Sequence, residues 1–320
     1  MVEPPPALRA AIERELSGAS RRNLAERTAA TTAAYRAGRT SADAIRGVDD
    51  ALAYTLARMP ATYAACARVF AEAATRAPGF APTSLLDAGS GPGGGSWAAR
   101  EAWPGLESVT WLDASLPFLD LARRLAADTP LAEAEIRRGD LLAAELPAAD
   151  LVLASYALAE IAPGRQATLV TSLWAATHGI LALVEPGTPD GYVRILAARD
   201  ILLEAGAAIL APCPHQATCP LTTPDWCHFS VRLPRSRDHR LAKSAEVPFE
   251  DEKFAFLLAA RPVVAGDRAG ARILARPRAG KPGIDLKLCT PAGLEQRFVG
   301  KRDRPAHALV RRLDWGDALP

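Results

Sequence analysis

An α/β domain built on a doubly wound parallel sheet is the fold this sequence predicts, and three observations carry the prediction. Between residues 83 and 187, short apolar runs alternate with helical stretches. The first run leads into a glycine-rich turn that opens a helix, LLDAGSGPGGGSWAAREAW. A later apolar run, FAFLLAAR, reads as a strand that returns to the sheet after a long irregular segment. Alternation of this kind implies βαβ units with helices on both faces of a parallel sheet.

Each element follows from its own pattern. The first eighty residues are rich in Ala, Arg and Glu at helical spacing, as in SADAIRGVDDALAYTLARMPATYAACARVFAEAA, and predict a helical layer. Met59-Pro60 interrupts that stretch and separates two helices, with Cys66 on the apolar face of the second. SLLDAG, VTWLDA, AEIRRGD, DLVLASY and GILALVEPG are the successive strands. YVRILAARDILLEAGAAIL reads as a helix, and residues 271–303 alternate apolar and basic residues around Pro/Gly turns, as in a small antiparallel β element.

Composition narrows the setting. With 320 residues, 49% of them hydrophobic, the chain can bury a sizeable core. No apolar run approaches the ~20 residues that cross a bilayer, and the charged, helical MVEPPPALRAAIEREL does not read as a signal peptide. The expectation is a cytoplasmic protein without a membrane partner, acting as a monomer. Net charge is +2 but unevenly placed: residues 261–320 hold 13 Lys and Arg against 6 Asp and Glu, and the first 260 hold 25 against 30. A basic C-terminal part points to an anionic partner, nucleic acid above all.

The glycine-rich turn is a cofactor signal. Gly89, Gly91 and Gly93 allow positive φ and close approach of a ligand to the backbone, and the helix that follows offers free N–H groups. Gly89, Gly91 and Gly94 also satisfy the dinucleotide fingerprint G-x-G-x-x-G, but Asp87 stands where dinucleotide folds carry an apolar residue. D-x-G-x-G-x-G resembles motif I of class I S-adenosylmethionine-dependent methyltransferases. That resemblance implies that Asp87 serves the methionine end of the cofactor, Asp113 the ribose and Asp140 the adenine edge. After the fourth strand, SYALAEI offers Ser155 and Tyr156 as hydrogen-bonding groups but lacks the Asn/Asp-Pro-Pro-aromatic motif of amino-group methyltransferases. Cys66, in its buried helix, does not suit cytosine C5 chemistry. The sequence supports cofactor binding better than turnover.

CPHQATCPLTTPDWCHF, residues 213–229, holds three of the five cysteines and two histidines. In a reducing compartment such a cluster reads as metal-binding. Cys213, Cys219 and Cys227 can meet one centre from a single irregular loop, with Cys289 as fourth ligand and His215 or His228 as alternatives. Zinc would take four cysteines, or three and a histidine; an iron-sulfur cluster is larger and tolerates ligands spread around it.

CPHQATCPL, DWCHFSVRLPRS, PFEDEKFAFL and LLDAGSGPGGGSWAA together resemble the mitochondrial small-ribosomal-subunit methyltransferase-like assembly factors and their bacterial relatives, from about residue 40 onward. The resemblance implies a class I methyltransferase fold, a role in maturing the small subunit through contact with its rRNA, and a [4Fe-4S] cluster on Cys213, Cys219, Cys227 and Cys289. The implied organisation is a helical region over 1–80, an S-adenosylmethionine-binding Rossmann-like core over 81–210, and a Cys-rich insertion, returning strand and basic β element over 211–320. Beside the third cysteine, RLPRSRDHRLAK carries Arg232, Arg235, Arg237, Arg240 and Lys243, which suit phosphate contacts. Residues 301–304 and 311–312 would extend that surface. Trp226 and Phe229 read better as shields of the metal site than as platforms for bases.

Overall fold

Stripes of Ala and Leu make the N-terminal region helical. A computed structural model of the chain describes residues 1–37, 39–243 and 245–320. Its first helices are α1 (Pro6–Leu16), α2 (Arg21–Arg36), α3 (Ser41–Ala44), α4 (Val48–Ala57) and α5 (Met59–Arg76). Pro60 sits in the first turn of α5, where its missing N–H costs nothing, and the α4–α5 break falls at Arg58. Tyr63, Cys66, Phe70 and Ala73 form the buried stripe by which α5 packs onto the sheet.

The five expected strands are β1 (Ser84–Ala88), β2 (Ser108–Asp113), β3 (Glu135–Arg138), β4 (Ala149–Ser155) and β5 (Thr177–Pro186), all parallel in the order β3-β2-β1-β4-β5. β4 and β5 are almost wholly buried, as strands covered on both faces must be, whereas β3 is a charged edge. Helices α6 (Gly94–Ala102), α7 (Leu116–Ala126), α8 (Pro163–Ala176) and α9 (Pro189–Glu204) alternate with the strands. Residues of α5, α6 and α7 build the core on one face, and those of α8 and α9 build it on the other.

The sheet then reverses. β6 (Ala208–Ala211) and β7 (Phe229–Pro234) lie end to end along one edge of β8 (Phe249–Ala260), both antiparallel to it, and the other edge of β8 runs antiparallel to β5. The mixed order β3-β2-β1-β4-β5-β8-β6 is that of the Rossmann-like methyltransferase fold. The long helix read through residue 210 ends at Glu204, because Gly206 turns left-handed at φ 80° and releases the next residues into β6. β7 was hidden within the basic stretch, although FSVRLP alternates buried and outward residues as an edge strand should. The helix α10 (Arg237–Ala242) follows it.

Residues 271–319 form a second sheet: β9 (Ala271–Ile273), β10 (Arg278–Ala279), β11 (Gly283–Thr290), β12 (Gly293–Gly300) and β13 (Ala318–Leu319), with α11 (Arg304–Val310) beside it. It has its own core of Ile273, Ile284, Leu286, Leu288, Val299 and Leu319. Arg272 fastens it to the main body. That guanidinium is 1% exposed, pairs with both Glu72 oxygens of α5 at 2.6 and 3.1 Å, and donates to the carbonyls of Pro212 and Gly316.

Candidate functional site

The glycine-rich turn lies at the carboxyl ends of the parallel strands, where open α/β sheets bind ligands. Gly89, Gly91 and Gly93 take φ values of 77°, 52° and 86°, so a side chain at any of them would be strained. Gly93 caps α6. A Cβ on Gly95, in the first turn of that helix, would lie 2.3 Å from Leu153 Cδ2 and 3.3 Å from Asp87 Oδ2, so any side chain there would have to displace Leu153. Sequence reasoning passed over Gly95, although the GGG run marks it.

Asp87, at 0% exposure, accepts from the Ser96 hydroxyl at 2.7 Å, and Ser96 accepts from Trp111 Nε1 at 2.9 Å. The second Asp87 oxygen, also buried, has no hydrogen-bond partner among the described residues. Burial pushes this carboxyl up to about 7, against the lowering effect of Ser96. A cationic donor facing the open oxygen would relieve both features. Asp113 accepts from Gly91 N and Ser115 N, both at 2.8 Å, which ties the end of β2 to the turn; burial raises its pKa against those bonds. Asp140 is exposed just past the end of β3 and accepts from Leu142 N at 2.8 Å, while Gly139 N donates to Asp113 O at 3.1 Å. Ser155, half-buried at the end of β4, is hydrogen-bonded to the Cys66 thiol. Cys66 is therefore near Asp87 and the cofactor side of β4, but burial pushes its thiol well up, which disfavours a nucleophilic thiolate.

The loop after β4 is held from two directions. Tyr156 has a left-handed φ of 59° and donates its hydroxyl to Glu252 of β8 at 2.8 Å, and Arg58 reaches the same carboxylate at 3.9 Å. Glu160 accepts from the backbone N–H of Ser41 at 3.0 Å and from its hydroxyl, so α3 lies against this loop. Arg58, Tyr156, Glu160 and Glu252 come from distant segments, and no local motif announces them.

On the other side of β8, the segment between β6 and β7 brings Cys213, Cys219 and Cys227 to one mainly apolar cavity, and β11 contributes Cys289. The cavity itself is small, about 40 Å³, and part of it opens to solvent. Among the described residues, no group of three or more His, Cys, Asp and Glu side chains is gathered tightly enough for a single metal ion. The four thiols instead stand around a space. Burial raises the Cys213, Cys227 and Cys289 thiols, the last to about 12, and their neighbouring thiols raise them further. Arg199 and Arg272 oppose that rise. A thiol set of this kind, raised by burial and mutual repulsion, fits a cationic centre, whether one ion or a cluster.

The surroundings support the cavity. Tyr192 of α9 is 3.2 Å from the Cys219 sulfur, and His215 Nε2 is 3.5 Å from that of Cys289. Arg199, 2% exposed, bonds the carbonyls of His215 and Ala217. Phe229 is buried in the lining, whereas Trp226 donates to Gly187 O and stacks on His228, which packs edge-on against Trp315. Both aromatics are used inside the molecule. Tyr192 and Arg199 were missed because their helix reads as ordinary amphipathic sequence.

The basic segment beside the third cysteine is largely neutralised. Arg232 makes a two-pronged pair with Asp251 at 2.6 and 2.7 Å. Arg235 and Lys243 both bind Glu250, as does His239 at 3.4 Å. Arg240 is half-buried, and Arg237 alone of the five is exposed without an ion pair among the described residues.

With this geometry in place, the profile of the family described as mitochondrial small ribosomal subunit Rsm22 matches residues 48–320. The chain belongs to that family. This Rsm22-family chain is 31% identical over 292 residues to human METTL17, a mitochondrial ribosome assembly protein, covering 84% of this chain and 62% of that one. It is 31% identical over 156 residues to Rsm22-cox11 tandem protein 2 of Schizosaccharomyces pombe, covering 43% and 21%. The chain thus spans less than two thirds of these relatives. Among solved structures, magnesium protoporphyrin IX methyltransferase of Synechocystis PCC 6803 aligns at a TM-score of 0.41 and 15% identity, over 67% of this chain and 83% of that one.

Proposed function

We propose that this Rsm22-family chain is an S-adenosylmethionine-binding, [4Fe-4S]-carrying factor that acts in assembly of the small ribosomal subunit through its rRNA. The observation that carries the reading is the convergence of Cys213, Cys219, Cys227 and Cys289 on the lining of one cavity. In this reading the cluster pins the β6–β7 connection to the C-terminal sheet, since Cys289 lies on β11. Asp87 and Asp113 would hold the second cofactor, which supplies an activated methyl group when bound; the partnerless oxygen of Asp87 supports that role. The reading carries with it a reducing, cytoplasmic compartment and a monomeric chain.

Purification without oxygen tests it. About four iron and four acid-labile sulfide per chain are expected, lost together on replacing any of the four cysteines. One zinc without sulfide would replace the cluster with a structural metal.

A second reading keeps the cofactor pocket as scaffold. It is favoured by the loop after β4, where the Tyr156 hydroxyl is occupied by Glu252 and Glu160 is occupied by Ser41. Incubation of isolated small subunits with labelled S-adenosylmethionine separates the two. Methyl transfer to rRNA supports catalysis; cofactor binding without transfer supports the scaffold.

A further inference from the structure

The cations of the C-terminal sheet differ from those around β7. Arg278 and Lys281 lie on and just after β10, and Lys301, Arg302 and Arg304 follow β12. All five are exposed, and among the described residues none makes an ion pair. The backbone brings the two groups together: Lys301 N donates to Pro282 O at 2.9 Å, which sets the turn after β12 against the turn that carries Lys281. Two acids lie nearby. Asp303 is engaged with Ala306 N at 3.2 Å, and Asp285 is exposed on β11.

Between these turns stands an exposed aromatic ring. Phe298 is 54% exposed and pairs in register with Asp285, which in turn faces Arg278, so one face of the sheet reads Arg278, Asp285, Phe298 across three strands. Gly283 is what lets the ring settle there, because a Cβ at that position would lie 2.7 Å from the Phe298 Cζ. The ring is thus supported from below by bare backbone while more than half of the residue meets solvent.

We propose that this end of the C-terminal sheet, with Phe298 at its centre, is a docking surface for single-stranded RNA: a base stacks on the phenyl ring and flanking phosphates meet Lys281, Lys301 and Arg302. The proposal rests on the small-subunit reading for which RNA is bound. An aromatic platform on a sheet, ringed by unpaired cations, matches the π-face and phosphate of a nucleotide together. An acidic peptide would use the cations and leave the ring without a partner.

The test is binding of the full chain to a short single-stranded RNA at a series of salt concentrations, followed by fluorescence anisotropy. Phe298→Ala is expected to weaken binding roughly fivefold or more, and Phe298→Tyr to retain it. Replacing Lys281, Lys301 and Arg302 together by Ala is expected to flatten the slope of log K against log salt by about 2, from ~0.7 per lost phosphate contact. All these positions are exposed, so unchanged melting curves will show that the variants fold. Tight RNA binding that neither variant alters would overturn this surface and leave the RNA reading standing. No RNA binding by the unaltered chain would overturn both. Unchanged RNA affinity with lost binding to polyglutamate would reassign the surface to an acidic protein.

Discussion

Around β7 and α10, the guanidinium and ammonium groups of Arg232, Arg235 and Lys243 are committed to Glu250 and Asp251; at the end of β10–β12, those of Arg278, Lys281, Lys301, Arg302 and Arg304 make no ion pair among the described residues. In the sequence the first group looks the more basic, because its acids are absent from the same stretch. They arrive from β8, whose register sets Asp251 opposite Arg232 and Glu250 opposite Leu233. Cross-strand pairing of opposite charges is a stabilising device of antiparallel sheets. Charge counted along a chain is therefore a poor guide to charge presented to a partner until the strand partners are known.

Removal of Arg272 probes the contrast within the C-terminal sheet itself, because its one deeply buried cation holds the fold while its outer cations do not. Arg272→Met takes from buried Glu72 one of its two guanidinium partners, leaving Arg76 at 3.1 Å, and strips hydrogen bonds from the Pro212 and Gly316 carbonyls. Breaking a buried pair from one side costs about 3–5 kcal/mol, and with Arg76 still beside Glu72 urea unfolding should show a loss at the lower end, about 3 kcal/mol. A loss below ~1 kcal/mol would mean that the sheet is held chiefly by its apolar contacts.

Glu250→Gln is the corresponding cut on the β7 side. Two cations, Arg235 and Lys243, and the buried His239 ring share this one carboxylate, but both cations keep some contact with water, so the expected cost is smaller, about 2 kcal/mol. The same residue sets a pH dependence. Burial pushes its carboxyl up, and hydrogen bonds from His239 and Lys243 outweigh that, leaving it well below its ordinary 4.5. A depressed folded-state pKa means that the unfolded chain takes the proton first. The stabilisation is fully present above about pH 4.5 and is lost as the pH falls through the folded value. Melting temperatures measured down the acid range should fall less steeply for Glu250→Gln than for the unaltered chain, and parallel curves would remove Glu250 as the sensor.

The legibility of the two halves follows the same physics. β1, β2, β4 and β5 were readable because each is a mainly apolar run bounded by turn residues, the charged β3 by its place in the alternation of strands and helices, and Asp87, the glycines and the cysteines because their types and spacings are local signals. β6 was lost in an alanine-rich stretch that favours helix by propensity, and only Gly206 marked the change. β7 was lost because its most exposed position, Arg232, carries a charge whose partner Asp251 lies some twenty residues away. The locks on the loop after β4 join residue 58 to 252 and residue 41 to 160, and the clamp on the second sheet joins 72 to 272. Contacts made at such separations exist only once the topology does.

The smallest expected effect decides whether the comparison itself is sound. Arg232 is exposed at the surface of β7, lies over the Phe249 ring at 4.1 Å, and gives both prongs of its guanidinium to Asp251. A guanidinium already matched to a carboxylate must surrender that pair before it can meet a phosphate, so it offers RNA little that is new. Arg232→Ala combined with Arg235→Ala should therefore leave the salt slope of RNA binding unchanged, while Asp251→Asn, which frees Arg232 in place, should steepen it by up to ~0.7. If the double variant instead loses ~1.4 in slope, the pairs exchange partners on binding, and the β7 segment joins the C-terminal sheet as part of one RNA surface.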